Sequence, residues 1–311
     1  MPAGVRSSLS PVVALGILAA VGASALYNTS IALQALEVRE VPDDHSLRPS
    51  LLGKLVRNRR WLGATALGLA GWPLEIVALL LAPLTVVQPC LASGLILLLW
   101  LGVTRLGERP GPRELVAVAA IVAGVAGVAL AAPERTTDHA GAGAITLALV
   151  LVAIPILAPY ALRVRARQSP SQGEVKIGWG AASALMVLSA GCGYAWTAIA
   201  SKLLTDELAV GTLFVAVAWL ATAALSEGLA LLSEMSALQQ RPATHVAPAM
   251  FAVQILVPVL LAPLIFGESW SDTPLGGMAL VGSMAVAVAG TVLLAGSPAV
   301  GSMIESSRER S

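Results

Sequence analysis

Charge is what this sequence has least of. Asp, Glu, Lys and Arg make up 12% of its 311 residues, aromatic residues make up 4%, and cysteine occurs twice. So few charged side chains cannot coat the water-facing surface of a chain this long, which argues against a soluble enzyme or soluble binding domain. Basic and acidic residues nearly cancel, at a formal net charge of +1, and the basic ones fall in short loops, so there is no electrostatic footprint for nucleic acid. Cys90 and Cys192 both lie inside apolar runs, where neither a disulfide framework nor zinc-ligand spacing can be read, and they count as packing residues. A glycine-rich phosphate loop, a metalloprotease helix and a nucleophile elbow are likewise missing from any context that would confirm them. The chain is therefore not expected to be an enzyme or to carry a cofactor.

Apolar residues fill the space that charge leaves. They account for 57% of the chain, mean hydropathy is +0.81, and several runs reach the roughly 20 residues a helix needs to cross a bilayer. The chain reads as an all-α, polytopic membrane protein with nine transmembrane helices and the lipid bilayer as its solvent. The spans fall at about 11–36, 61–82, 84–104, 114–132, 143–162, 177–200, 211–238, 244–266 and 274–295. An Ala23-Ser24-Ala25 sequence in the first span imitates a signal-peptidase site.

The stretch from Trp72 to Pro89 occurs twice. A shift of 159 positions superposes Glu75 on Glu234, Pro83 on Pro242, Thr85 on Thr244 and Pro89 on Pro248, and Gly107-Glu108 returns as Gly267-Glu268 at a shift of 160. Two four-helix repeats follow, 11–132 (spans one to four) and 177–296 (spans six to nine). They are joined by a linker, 133–176, that carries span five, with an N-terminal tail at 1–10 and a tail at 297–311. With the N-terminus outside, 16 lysines and arginines fall in inside segments against three (Arg6, Arg135 and Lys202) outside. That split follows the positive-inside rule, and cleavage after Ala25 would invert it. The expected location is the cytoplasmic membrane, with the C-terminus inside. A single span between the repeats gives them opposite orientation.

Inverted repeats with polar groups near the midplane are a transporter design. Glu75 in span two and its counterpart Glu234 in span seven are candidate substrate- or ion-binding residues, because a carboxylate in the hydrocarbon region costs a few kcal/mol unless it faces a cavity or partner. Glu227 lies two turns before Glu234 on the same helical face. Asn28 in span one, Thr197 in span six and Ser233 in span seven are further candidates. No lysine or arginine falls within any span to neutralise these acids, so the cavity reads as acidic and suited to a cation or to protons. Each glutamate has a plain alternative, a protonated side chain bonded to a nearby serine as helix glue.

Ala78–Pro89 with the following apolar span, Leu106-Gly-Glu-Arg109 and a Gly-rich span ending at Ala132 resembles an EamA-type repeat of the drug/metabolite transporter superfamily. The stretch from Ser236 through Phe266-Gly-Glu268 to Leu294 resembles the same module again. The nine-span layout, with a long basic loop after span one, is most similar to the NIPA-type magnesium transporter branch. That branch carries amide residues where this chain has Glu75 and Glu234, yet carboxylate oxygen also suits a hard cation, which makes this pair the tentative metal ligands. The resemblance implies a secondary transporter that moves a small solute or a magnesium-like divalent cation through an acidic central cavity by alternating access. The alternative from another class is a non-transporting scaffold or partner of lipid or cell-wall enzymes. A homodimer is left open.

Overall fold

The computed structural model describes residues 11–42, 45–81, 90–91, 93–131, 141–168, 179–266 and 274–295. Among them every regular element is helical: α1 (Pro11–Val38), α2 (Pro49–Leu55), α3 (Arg59–Leu81), α4 (Gly94–Thr104), α5 (Pro112–Ala131), α6 (Ala142–Gln168), α7 (Trp179–Val210), α8 (Leu213–Gln240), α9 (Ala243–Phe266), a short 3-10 segment (Pro274–Gly277) and α10 (Met278–Ala295). Helices are the physical answer to apolar runs of this length, because each satisfies its own backbone hydrogen bonds where no water is available. Six stretches of described residues are long and apolar enough to cross a membrane: Ala14–Val38, Gly143–Arg165, Ala181–Ser201, Leu213–Gln240, Ala243–Leu261 and Leu275–Leu293. Large apolar side chains stand exposed on their outer faces, such as Leu18, Leu225 and Val292 at 65–67% exposure. In water such surface would aggregate, and in lipid it is matched to its solvent. The chain is a multi-pass, all-helical membrane protein.

The packing order is simple. α1 lies along α3, α7 along α8 and α5 along α10, while α4 sits on α1 and α9 on α7. α5 and α10 meet through small residues: a Cβ at Gly124 would come within 2.5 Å of the Ala287 backbone nitrogen, and one at Gly290 within 2.7 Å of the Ala117 carbonyl oxygen. Close approach of this kind takes the place of a hydrophobic drive between helices that are equally greasy on all sides.

Helix boundaries depart from the sequence reading in three places, the first being α6, which runs past Leu162 to Gln168 through the arginines expected in the linker. α7 does not stop near Ala200 but continues to Val210, where Gly211 at φ +87° ends it and the Thr212 hydroxyl donates to the Glu207 carbonyl oxygen at 3.1 Å. The basic loop after α1 contains α2, which starts on Pro49 at a position where its missing N–H is not needed. Leu51 and Leu55 of α2, worth roughly 1.5–3 kcal/mol each, are buried in the main core, which also takes in Leu238 of α8. The turn at Pro242 is as expected, with Arg241 in an extended conformation between α8 and α9. Its counterpart at Pro83, with Thr85 and Pro89, lies outside the described residues, as do both tails, Glu268 and most of the linker around α6.

Candidate functional site

Glu75 and Glu234 occupy matching settings. Glu75 on α3 accepts a 2.7 Å hydrogen bond from the Tyr27 hydroxyl of α1, and Glu234 on α8 accepts one of 2.5 Å from the Tyr194 hydroxyl of α7. Each pair joins the two helices that lie most closely along each other in its part of the chain. Glycines make room for both contacts. A Cβ at Gly71 of α3 would strike the Tyr27 ring at 2.8 Å, and one at Gly193 of α7, next to Tyr194, would come within 2.7 Å of the Ala230 side chain of α8. Two of the three tyrosines in the chain are thereby committed to the two repeat-related acids.

The two pairs differ in exposure. Glu234 is buried at 3%, and its Oε1 has no hydrogen-bond partner among the described residues. Glu75 is half-buried. Glu227 is exposed, yet it lies within electrostatic reach of Tyr27, Tyr194 and Glu234. An orphaned carboxylate oxygen deep in a helix bundle must be protonated or must hold a ligand, because burying it bare costs several kcal/mol.

The remaining candidates divide. Asn28 of α1 is buried, donates from Nδ2 to the Ser24 carbonyl at 2.9 Å, and presses on Gly94 of α4, where a Cβ would meet that Nδ2 at 2.3 Å. Its Oδ1 is, like Glu234 Oε1, a buried acceptor with no partner among the described residues. Thr197 donates to the Gly193 carbonyl of its own helix at 3.1 Å. Ser233 turns the other way: its hydroxyl bonds Tyr160 of α6 at 2.8 Å and Ser189 of α7 at 2.9 Å, so it ties α6 onto the α7–α8 pair and is not brought to the carboxylates. Among the described residues no three His, Cys, Asp or Glu side chains come together closely enough to hold a metal ion.

A second polar cluster closes one end of the bundle. Glu108, in the loop between α4 and α5, is 5% exposed and spans four donors: Arg39 at 2.6 Å, the Ala243 amide at 2.9 Å, and the Thr244 amide and hydroxyl at 3.1 and 2.6 Å. Its carboxylate thus caps the N-terminus of α9, where orphan amides and the helix dipole favour an anion. Burial alone would push the carboxyl up, but the bonds from Thr244, Arg39 and Ala243 and the Arg39 charge outweigh it and hold Glu108 below the usual carboxylate range. Around this clasp Val41, Leu47 and Trp61 dock on α8. The Leu47 amide donates to Ser236 at 2.8 Å, Gln239 donates to the Val41 carbonyl at 3.0 Å, and the Trp61 indole reaches Met235 Sδ at 3.4 Å.

No protein-family model, no curated protein and no solved structure matches the chain.

Proposed function

We propose that this chain is a secondary membrane transporter of the drug/metabolite type, built from two inverted four-helix repeats within nine spans, that exchanges a small solute or cation against protons. One observation carries the reading: repeat-related Glu75 and Glu234 each accept a tyrosine hydroxyl from the neighbouring helix, and the sealed Glu234 keeps one oxygen unpartnered. A carboxyl so placed has a use if its proton and the cargo take turns on it. Each acid keeps oxygen lone pairs beyond the one the tyrosine uses, which suits a polar solute, an organic cation or a hydrated divalent cation as cargo. With Leu51, Leu55 and the Glu108 clasp in place, the end that carries α2 is the closed end of the alternating-access cycle. In proteoliposomes, an imposed proton gradient is expected to drive accumulation of at least one member of a panel of small solutes and organic and inorganic cations. A panel that moves no faster than in empty liposomes, at any pH, removes the transporter reading.

Orientation is part of the same proposal. Arg39, Arg241 and the 105–111 loop come together at one end of the bundle, where Glu108 meets Arg39 and Ala243, and the positive-inside rule makes that end cytoplasmic, with the N-terminus outside. Single cysteines at Arg109 and Gly141, in a background with Cys90→Ser and Cys192→Ser, should react with an impermeant thiol reagent from opposite sides of the membrane. Reaction of both from outside intact cells contradicts the arrangement.

A further inference from the structure

His245 reads from sequence as a solvated residue at the start of a helix, but it is 9% exposed. It lies in the wall of an open crevice of about 130 Å³ formed by α7, α9 and α10 near the α2 end of the bundle. The floor of the crevice is polar. Arg241 Nε donates to the Ser183 hydroxyl at 2.8 Å, which fixes the guanidinium beside His245. The walls are apolar, with Val187, Leu188 and Val253 prominent, and none of the lining residues is acidic. Glu114 and Glu108 act on His245 electrostatically from outside the lining, and Glu108 is already paired with Arg39.

The mouth decides what fills this space. Ala184 and Leu188 form part of its lip and are exposed on α7, within the stretch long and apolar enough to cross the membrane. The crevice consequently opens sideways, toward acyl chains, and its cationic floor lies at the helix ends, at the depth of phosphate groups. A planar guanidinium held by a neighbour is suited to phosphate oxygen, and basic pockets between spanning helices recruit anionic headgroups. We propose that the crevice is a binding site for one anionic glycerophospholipid drawn from the bilayer, with the phosphate on Arg241 and the leading part of an acyl chain along Val187, Leu188 and Val253.

The test uses the full chain purified in mild detergent and exposed to vesicles of phosphatidylcholine alone or mixed with phosphatidylglycerol, followed by native mass spectrometry and thermal melting. The expected result is at least fivefold preferential retention of one phosphatidylglycerol, with a raised thermal midpoint. Both effects should be lost in Arg241→Gln and retained in Arg57→Gln, which removes an exposed charge elsewhere. Because Arg241→Gln removes the bond to Ser183 and could weaken the fold, Ala184→Trp provides an independent variant that blocks the mouth and leaves the floor intact. It too should lose the bound lipid. Equal retention of the two lipids, or phosphatidylglycerol retention unchanged in both variants, overturns the proposal. So does equal stabilisation by inorganic phosphate, which would make the crevice a site for free anions.

Discussion

Glutamine at position 234 should leave the protein folded and inserted while reducing proton-coupled flux to the level of empty liposomes, and Glu75→Gln should do the same. The substitution keeps the shape of the side chain and an oxygen that can still accept the bond from Tyr194 or Tyr27, so the helix pairs α7–α8 and α1–α3 retain their link. What it removes is the proton and the charge. At position 234 the amide nitrogen takes the place of an oxygen that has no partner among the described residues, a change on the order of 1–2 kcal/mol in stability, too small to unfold the bundle. Glu227 is within electrostatic reach of both pairs but is exposed, so Glu227→Gln should slow flux by an equal or smaller factor. The measurement is flux in proteoliposomes across pH 5 to 9 for each variant, with the purified protein checked for monodispersity. Wild-type rates and a wild-type pH profile in all three variants would return the glutamates to the role of helix glue.

How much of this was readable in the chain differs from residue to residue. Glu75 and Glu234 could be picked out because an acid in an apolar run is conspicuous and because the repeat marks both. Their partners could not. Tyr27 lies 48 residues from Glu75 and Tyr194 lies 40 from Glu234, and a hydrogen bond between helices leaves no trace in local spacing. The one available signal was scarcity: with three tyrosines in the whole chain, any that falls inside a spanning helix needs a partner for its hydroxyl. Ser233 is the converse case. It neighbours Glu234 in sequence, but adjacent residues on a helix point about 100° apart, and its hydroxyl went to Tyr160 and Ser189. α2 was hidden by the arginines around it, although apolar residues at 51, 52 and 55 after Pro49 have helical spacing. Glu108 was noticed only as half of a repeated Gly-Glu marker. Its role as the cap of a helix more than 130 residues away depends on tertiary packing alone.

Removing that cap should have the largest effect on stability. Glu108→Ala strips the Ala243 and Thr244 amides of their acceptor and leaves Arg39, 30% exposed, beside a buried gap. Loss of one partner from a buried, hydrogen-bonded ion pair costs about 3–5 kcal/mol, and the partial exposure of Arg39 places the expected value near the lower end. Glu108→Gln keeps an acceptor for α9 and should lose less. The sign of the pH dependence follows from the direction of the shift. The carboxyl is held below its ordinary value in the folded protein, so its contribution is fully present above the unfolded carboxylate pKa of about 4.3 and is lost as pH falls through the lower folded value. The gap in thermal midpoint between wild type and Glu108→Gln should accordingly stay constant from pH 7 to 5 and close on acidification below about pH 4. If the clasp also holds this end of the bundle shut, releasing it does more than weaken the fold. A cysteine at Val246, 1% exposed one turn into α9, should react with a thiol reagent at least tenfold faster in the Glu108→Ala background than beside wild-type Glu108. A midpoint unchanged across this pH range would remove the electrostatic cap. A midpoint that falls while the Val246→Cys reaction rate stays the same would leave Glu108 as a structural cap with no part in opening.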